Sequence, residues 1–278
     1  MRVTYEEKTY EGYFNTELSR GSEVYFPFGQ VQEGFLGIDS SAYIGDILFW
    51  RHFMNIGRPF RGTYLKEIAD VMNRYLGTQL DNLPTIKANL LFQYKKPEFI
   101  TRSDGAEWTY WKSPYYRYDI YPEQQNLLEQ LDSKLGRALL ILYAAPAIYD
   151  VNDLVNVHRN GELIKFSNFR KASELTGHHR NTYTEAGAFS IACSEFTRLN
   201  NFDLIKELGQ LSRTDKDMQL SNRQFVKDFT KHVESSLSNG TYLSEAFRRL
   251  NSELEEIRDF ELFCSYMVMQ NFRSLTGI

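Results

Sequence analysis

Two apolar runs with a helix between them constrain this chain more than any other feature of its sequence. Asn89-Leu90-Leu91-Phe92-Gln93-Tyr94 is a compact run ending in Lys95-Lys96-Pro97. Residues 137–143, Arg-Ala-Leu-Leu-Ile-Leu-Tyr, make the second, which stops at Ala144-Ala145-Pro146. Each is short, apolar and closed by a breaker, the pattern of a buried strand. From Pro122 to Leu135 the period changes: Leu127, Leu128 and Leu131 recur on one helical face, Pro122 opens the segment and Gly136 closes it. Strand, helix and strand with no hairpin signal predict a right-handed crossover in a mixed α/β sheet.

The 278 residues fit one large domain or two smaller ones. Residues 1–30 mix aromatic and polar side chains around Gly12, Gly21 and Gly29 without a helical period, which predicts short strands or an extended arm. Phe49 to Phe53 breaks strand alternation and reads as a helix end. Between Thr63 and Tyr75, Leu65, Ile68, Val71 and Met72 fall at helical spacing, with Gly77 as a stop. Beyond residue 200 the texture becomes charged, amphipathic and helical over 202–211, 222–237 and 242–272, with Ser238-Asn239-Gly240 between the last two. The expected organisation is an α/β domain over residues 1–199 and a helical C-terminal region over 200–278.

A net charge of −4 counts against a chain that binds nucleic acid over its whole surface, but it leaves room for a local basic groove. Aromatic residues at 15% argue for a packed body with β content rather than disorder. Cys193 and Cys264 are too few and too far apart for a disulfide framework or a zinc finger, and are expected as buried small apolar residues. The N-terminus has no apolar stretch of signal-peptide kind, and no run approaches the roughly 18 apolar residues of a membrane span. A cytoplasmic protein, with no membrane partner, is the expectation.

Two short segments carry the chemistry. The first is Gln32-Glu33-Gly34-Phe35-Leu36-Gly37-Ile38-Asp39 and the second is Leu91-Phe92-Gln93-Tyr94-Lys95. Phosphodiester hydrolysis uses a divalent ion to bind phosphate and acidify water, and a cation beside the developing charge. Asp39 can supply a carboxylate to such an ion, and Glu33 can complete the site from the end of a preceding helix. Residues two apart on a strand face the same way, so Gln93 and Lys95 point together. Gln93 then offers a carbonyl oxygen, the Tyr94 backbone carbonyl is a further oxygen ligand, and Lys95 reaches water or phosphate.

Glu-x-x-x-Gly-Ile-Asp, then Gln-x-Lys on a strand, then a helix and a strand, resembles the PD-(D/E)XK restriction-endonuclease-like superfamily. The resemblance covers roughly residues 25–146. It implies a mixed-sheet αβββαβ core, here with an inserted helix in the long Asp39–Gln93 interval and a helical C-terminal region. It also implies Mg²⁺- or Mn²⁺-dependent endonuclease activity, with DNA ahead of RNA as substrate, in bacterial defence or DNA processing. By position Asp39 matches the metal-binding acid, Glu33 the helical acid, Gln93 and Lys95 the second motif, and Gln125 a glutamine found in the following helix of some members.

Other residues fit weaker readings. Lys96, Lys112, Arg117, Lys171 and Arg180 are candidate nucleic-acid contacts, and the aromatic run from Trp108 to Tyr118 offers either base-stacking platforms or a hairpin with an aromatic core. Lys165, Arg170, His178 and His179 extend the basic stretch, though adjacent histidines on an extended chain point apart. The rival to a nuclease is a nuclease-fold protein without catalysis. It would bind nucleic acid, or assemble with itself or a partner through Phe247, Leu250, Leu254, Ile257 and Phe260, which lie at helical spacing. Proximity of the Asp39 carboxylate to the Gln93 side chain, within about 6 Å, separates the two, because both must reach one ion.

Overall fold

A computed structural model describes residues 2–21, 65–86, 88–136, 139–211, 219–237 and 242–276, without the side chains of residues 19–21 and 205. In chain order the elements begin with α1 (Glu7–Gly21), α2 (Leu65–Asn82), β1 (Asn89–Tyr94), β2 (Glu98–Ile100), α3 (Trp108–Trp111), β3 (Tyr115–Asp119), α4 (Pro122–Leu135) and β4 (Leu139–Pro146). They continue with α5 (Val151–Arg159), β5 (Ser167–Lys171), β6 (Arg180–Tyr183), β7 (Ser190–Cys193), β8 (Thr197–Leu199), α6 (Leu204–Gln210), α7 (Asn222–Ser236), α8 (Tyr242–Ser252) and α9 (Glu261–Thr276). The described residues fall into two compact units, one drawn from residues 1–25, 85–219 and 276–278, the other from 26–84 and 220–275. This division differs from the expected boundary at residue 199, because α2 groups with the C-terminal helices.

The first unit is mixed α/β. A three-stranded sheet has the order β1-β4-β5, and a five-stranded antiparallel sheet runs β2-β3-β6-β7-β8. β1 and β4 are parallel, with Gln93 opposite Tyr143, and β5 is antiparallel to β4. The two expected strands are parallel neighbours with α4 in the connection between them, and that connection also carries β2, α3 and β3 of the other sheet. Pro122 starts α4, and Gly136 ends it at a φ of 50°, a left-handed position suited to glycine. β4 is buried along its full length and includes Ala144, Ala145 and Pro146, which were expected to lie beyond it. A central strand covered on both faces carries such an unbroken apolar run.

Alternation gives the three-stranded sheet two unlike faces. Phe92, Tyr94, Leu140, Leu142, Ala144 and Phe169 join one apolar core with Tyr10 and Phe14 of α1 and Leu154 of α5. Each large apolar side chain fully buried there contributes about 1.5–3 kcal/mol. The strand register places Gln93, Tyr143 and Arg170 together on the opposite face. That face meets α4 and the second sheet: the Tyr143 hydroxyl donates to Gln125 Oε1 at 2.8 Å, and the Tyr118 ring stacks 6.0 Å from Tyr143.

Three local expectations are corrected. Residues 7–21 form a helix rather than strands or an arm. Its period was hidden because polar residues also point inward. Tyr94 donates its hydroxyl proton to Asn15 Oδ1, and Glu17 accepts the backbone N–H groups of Leu163 and Ile164 at 2.8 and 3.1 Å. The aromatic run from Trp108 is a short helix followed by β3, which pairs with β2 and β6, and not a hairpin. Cys193 is buried as expected, whereas Cys264 is only half-buried.

In the second unit α2 runs past Gly77, the expected stop, to Asn82. A Cβ at Gly77 would lie 2.8 Å from Arg223 Cζ, so glycine here admits the α7 side chain. The stretch expected as one helix over 242–272 is two, α8 and α9, parted by a turn that holds a 3₁₀ segment at Glu255–Ile257. Asn73 Oδ1 accepts the N–H groups of Leu262 and Phe263, satisfying the first turn of α9. Phe247, Leu254 and Ile257 are buried within the chain, and this takes up most of the face expected to meet a partner. Among the described residues, no helix is long and apolar enough to cross a membrane.

Candidate functional site

The first unit encloses a cavity of about 420 Å³ at the C-terminal end of β1, lined by Glu7, Gln93, Lys95, Lys96, Glu98, Arg117, Tyr118, Asp119, Tyr121 and Gln124. Its parts follow from local structure. The parallel ladder extends one step beyond β1, as the Lys95 N–H donates to Ala144 O at 2.9 Å, so Gln93 and Lys95 leave the same face of the sheet. The first turn of α1 contributes Glu7, whose Oε2 accepts the Lys96 N–H at 2.9 Å. α4 brings Gln124 from its first turn, just after Tyr121.

Lys95 is 6% exposed, and its Nζ donates to Gln124 Oε1 at 2.8 Å. The same ammonium sits over two rings, 4.8 Å from the Tyr121 centroid and 5.6 Å from that of Tyr143. Burial pushes its pKa down to about 8, against the pull of Glu7 and Asp119, which favour the charged form. Burial likewise raises the Glu7 carboxyl above its ordinary value, partly offset by the Lys96 amide and the Lys95 charge.

Gln93 is 3% exposed. Its Nε2 donates to the Tyr94 carbonyl at 3.0 Å, which fixes the amide and leaves Oε1 buried with no hydrogen-bond partner among the described residues. The Tyr118 hydroxyl is buried in the same condition. Such atoms are rare in a folded interior, because an unmade hydrogen bond costs about 1–3 kcal/mol. The Tyr94 carbonyl, expected as an oxygen ligand, already accepts from Gln93.

The expected site is thus only partly assembled by described residues. Gln93 and Lys95 come together in one cavity. Asp39 and Glu33 lie outside the described residues, as does the Phe49–Phe53 segment, so the Asp39–Gln93 separation has no value here. Glu7 was missed because its helix was missed. Gln125, matched to the motif helix, turns away from the cavity: it donates to Ala172 O at 2.8 Å and accepts from Tyr143. Its neighbour Gln124 faces Lys95, a one-residue difference that helical spacing alone does not resolve. Among the described residues no group of three His, Cys, Asp or Glu side chains could hold a metal ion.

Most of the cations expected to touch nucleic acid are paired. Lys96 meets Glu6 at 3.0 Å and Lys171 meets Glu207 at 2.6 Å. Arg117 binds Glu98 at 2.8 Å, while Arg180 bridges Asp119 at 2.7 Å and Glu107 at 2.9 Å. Burial works to raise the Glu107 carboxyl, but hydrogen bonds from Arg180 and Tyr115 hold it below its ordinary value. Arg170 is fully buried and donates to Ser190 Oγ and to the Asn200 and Ala188 carbonyls. Lys112 is exposed, in a left-handed conformation at the end of α3. The stretch that reads as basic in sequence is therefore mostly internal ion pairing. His179 Nδ1 lies 2.9 Å from Ser194 Oγ, and His178 Nδ1 is buried with no partner among the described residues.

Comparison of the chain with protein-family models, with curated proteins and with solved structures returns no match.

Proposed function

We propose that the chain is a metal-dependent nuclease of the PD-(D/E)XK type, acting on DNA ahead of RNA, with its reacting groups around the cavity at the end of β1. The observation that carries this reading is the pairing, in one cavity, of a buried lysine with a buried amide oxygen that has no partner among the described residues. Gln93 Oε1 and the Glu7 carboxylate are oxygen donors of the kind a hard ion such as Mg²⁺ or Mn²⁺ takes, and a site for one would need a further carboxylate beside them. Gln93, Glu7 and, from outside the described residues, Asp39 would hold it, with Glu33 in reserve. A bound ion supplies a lowered pKa for water and neutralises phosphate charge.

The chain's own residues do the rest. Lys95, held by Gln124 and by the Tyr121 and Tyr143 rings, would present its ammonium to the phosphate oxygens as the water oxygen bonds to phosphorus, the ester P–O bond breaks, and the proton water gives up ends on the leaving alcohol. In a site this buried, such a charge acts through a low dielectric and without reorganising. The parallel β1 and β4, with α4 in their connection, are consistent with the αβββαβ core that the motif implies. One observation favours the second reading, a nuclease-fold protein without catalysis: the motif position beside Lys95 holds a neutral amide rather than a carboxylate.

The test is cleavage of single-stranded and duplex DNA and RNA by the full chain in Mg²⁺ or Mn²⁺. Wild type should cut, and the Asp39→Ala/Lys95→Ala double variant should lose at least a hundredfold in rate with unchanged circular dichroism. Cleavage that persists in the double variant would remove the site assignment.

A further inference from the structure

We propose that Tyr121 is a base-stacking platform at the mouth of the cavity, so that the site takes an unpaired nucleotide of a single strand rather than an intact duplex. The inference deepens the nuclease reading above and rests on it.

Tyr121 immediately precedes α4, with extended backbone at φ −86° and ψ 125°. It lines the cavity and yet is 63% exposed, among the most exposed large hydrophobic side chains described. Single exposed rings are ordinary on a protein surface, but this one lines a polar cavity and lies against a buried cation. The Lys95 ammonium lies 4.8 Å from its centroid, so the ring is anchored through a cation–π contact while most of its surface stays open. A nucleobase offers a flat π-face to such a ring whatever its sequence, and aromatic rings beside cations are how proteins hold single strands.

Size and depth point the same way. A volume of about 420 Å³ is that of a small-molecule pocket and holds one nucleotide, not a stretch of duplex. Bases paired in a duplex hide their faces in the stack, so a base can reach Tyr121 only from a single strand or after leaving the helix. A base on Tyr121 brings its phosphate toward Lys95, which touches that same ring. Gln93, which also lines the cavity, has an amide Oε1 with no hydrogen-bond partner among the described residues, a polar contact that an apolar ligand would leave unused.

The experiment measures binding of the full chain to a fluorescent single-stranded DNA 12-mer, the RNA 12-mer of the same sequence and the matched DNA duplex, by anisotropy in chelator so that nothing is cut. Both single strands should bind at least tenfold tighter than the duplex. Tyr121→Ala should weaken single-strand binding by about tenfold, the loss of one stacked base. Tyr121→Trp should preserve it, and duplex binding should not respond to either change. Equal affinity for duplex and single strand, or a Tyr121→Ala variant that binds single strands as wild type does, overturns the proposal. Cleavage in Mn²⁺ run in parallel separates the two readings. Cutting with no dependence on Tyr121 sinks the platform and leaves the nuclease. Stacking-dependent binding without cutting sinks the nuclease and leaves the platform. Absence of binding to every form sinks the platform, and absence of both binding and cutting in Mn²⁺ sinks both.

Discussion

Lys95 should weaken the folded state in which it is buried. Its ordinary pKa of 10.5 falls to about 8 in the fold, chiefly because the ammonium has been taken out of water. At 1.36 kcal/mol per pH unit that fall corresponds to ~3 kcal/mol against folding at neutral pH. Lys95→Met keeps the stem's length and apolar contacts but removes the charge, so the variant should be more stable than wild type. Loss of the hydrogen bond to Gln124 Oε1 and of the contacts to Tyr121 and Tyr143 reduces the gain, leaving about 1–2 kcal/mol at pH 7. The pH dependence identifies the cause. Below pH 8 the lysine is charged in both states, and the folded state bears the full desolvation cost. Between about 8 and 10.5 the folded protein has released this proton while the unfolded chain retains it, so wild-type stability rises with pH relative to the variant. Urea unfolding of both proteins in chelator, from pH 7 to 10, reads this directly. A variant less stable than wild type at pH 7, or a gap that does not narrow as pH rises, would refute the burial argument.

Two further outcomes separate positioning from folding. Gln124→Ala should cost about 1 kcal/mol, because the buried Lys95 ammonium loses its acceptor, and cut any cleavage rate about tenfold by freeing that lysine, whereas Gln125→Ala should cost ~2–3 kcal/mol in thermal or urea unfolding and leave Lys95 in place, because Tyr143 and Ala172 O lose a buried partner. Glu17→Ala should cost ~2 kcal/mol by the same assay, since the Leu163 and Ile164 amides lose their acceptor, and a loss under 0.5 kcal/mol would mean water replaces it without penalty.

The sequence by itself determined the parts whose local signals agree with their surroundings. The apolar runs at 89–94 and 139–143, and the helix opened by Pro122 and closed by Gly136, are readable because breaker, period and burial coincide there, whereas the extension of β4 through Ala144–Pro146 is not. The common direction of Gln93 and Lys95 is readable too, since strand alternation fixes it whatever the sheet packs against. Tertiary structure decided what depends on partners distant in the chain. α1 is hidden in sequence because Asn15 and Glu17 are buried only where Tyr94 and the 163–164 backbone receive them. Gly77 reads as a stop until Arg223 is seen to need the space. The basic stretch becomes a set of ion pairs only when Glu107, Asp119 and Glu207 meet it. Gln125 and Gln124 exchange roles because one residue, a 100° turn of helix, decides which faces the cavity. Long-range pairing leaves no periodic trace in a sequence, so the helix that supplies Glu7, and the Tyr121–Lys95 contact at the cavity, became visible only in three dimensions.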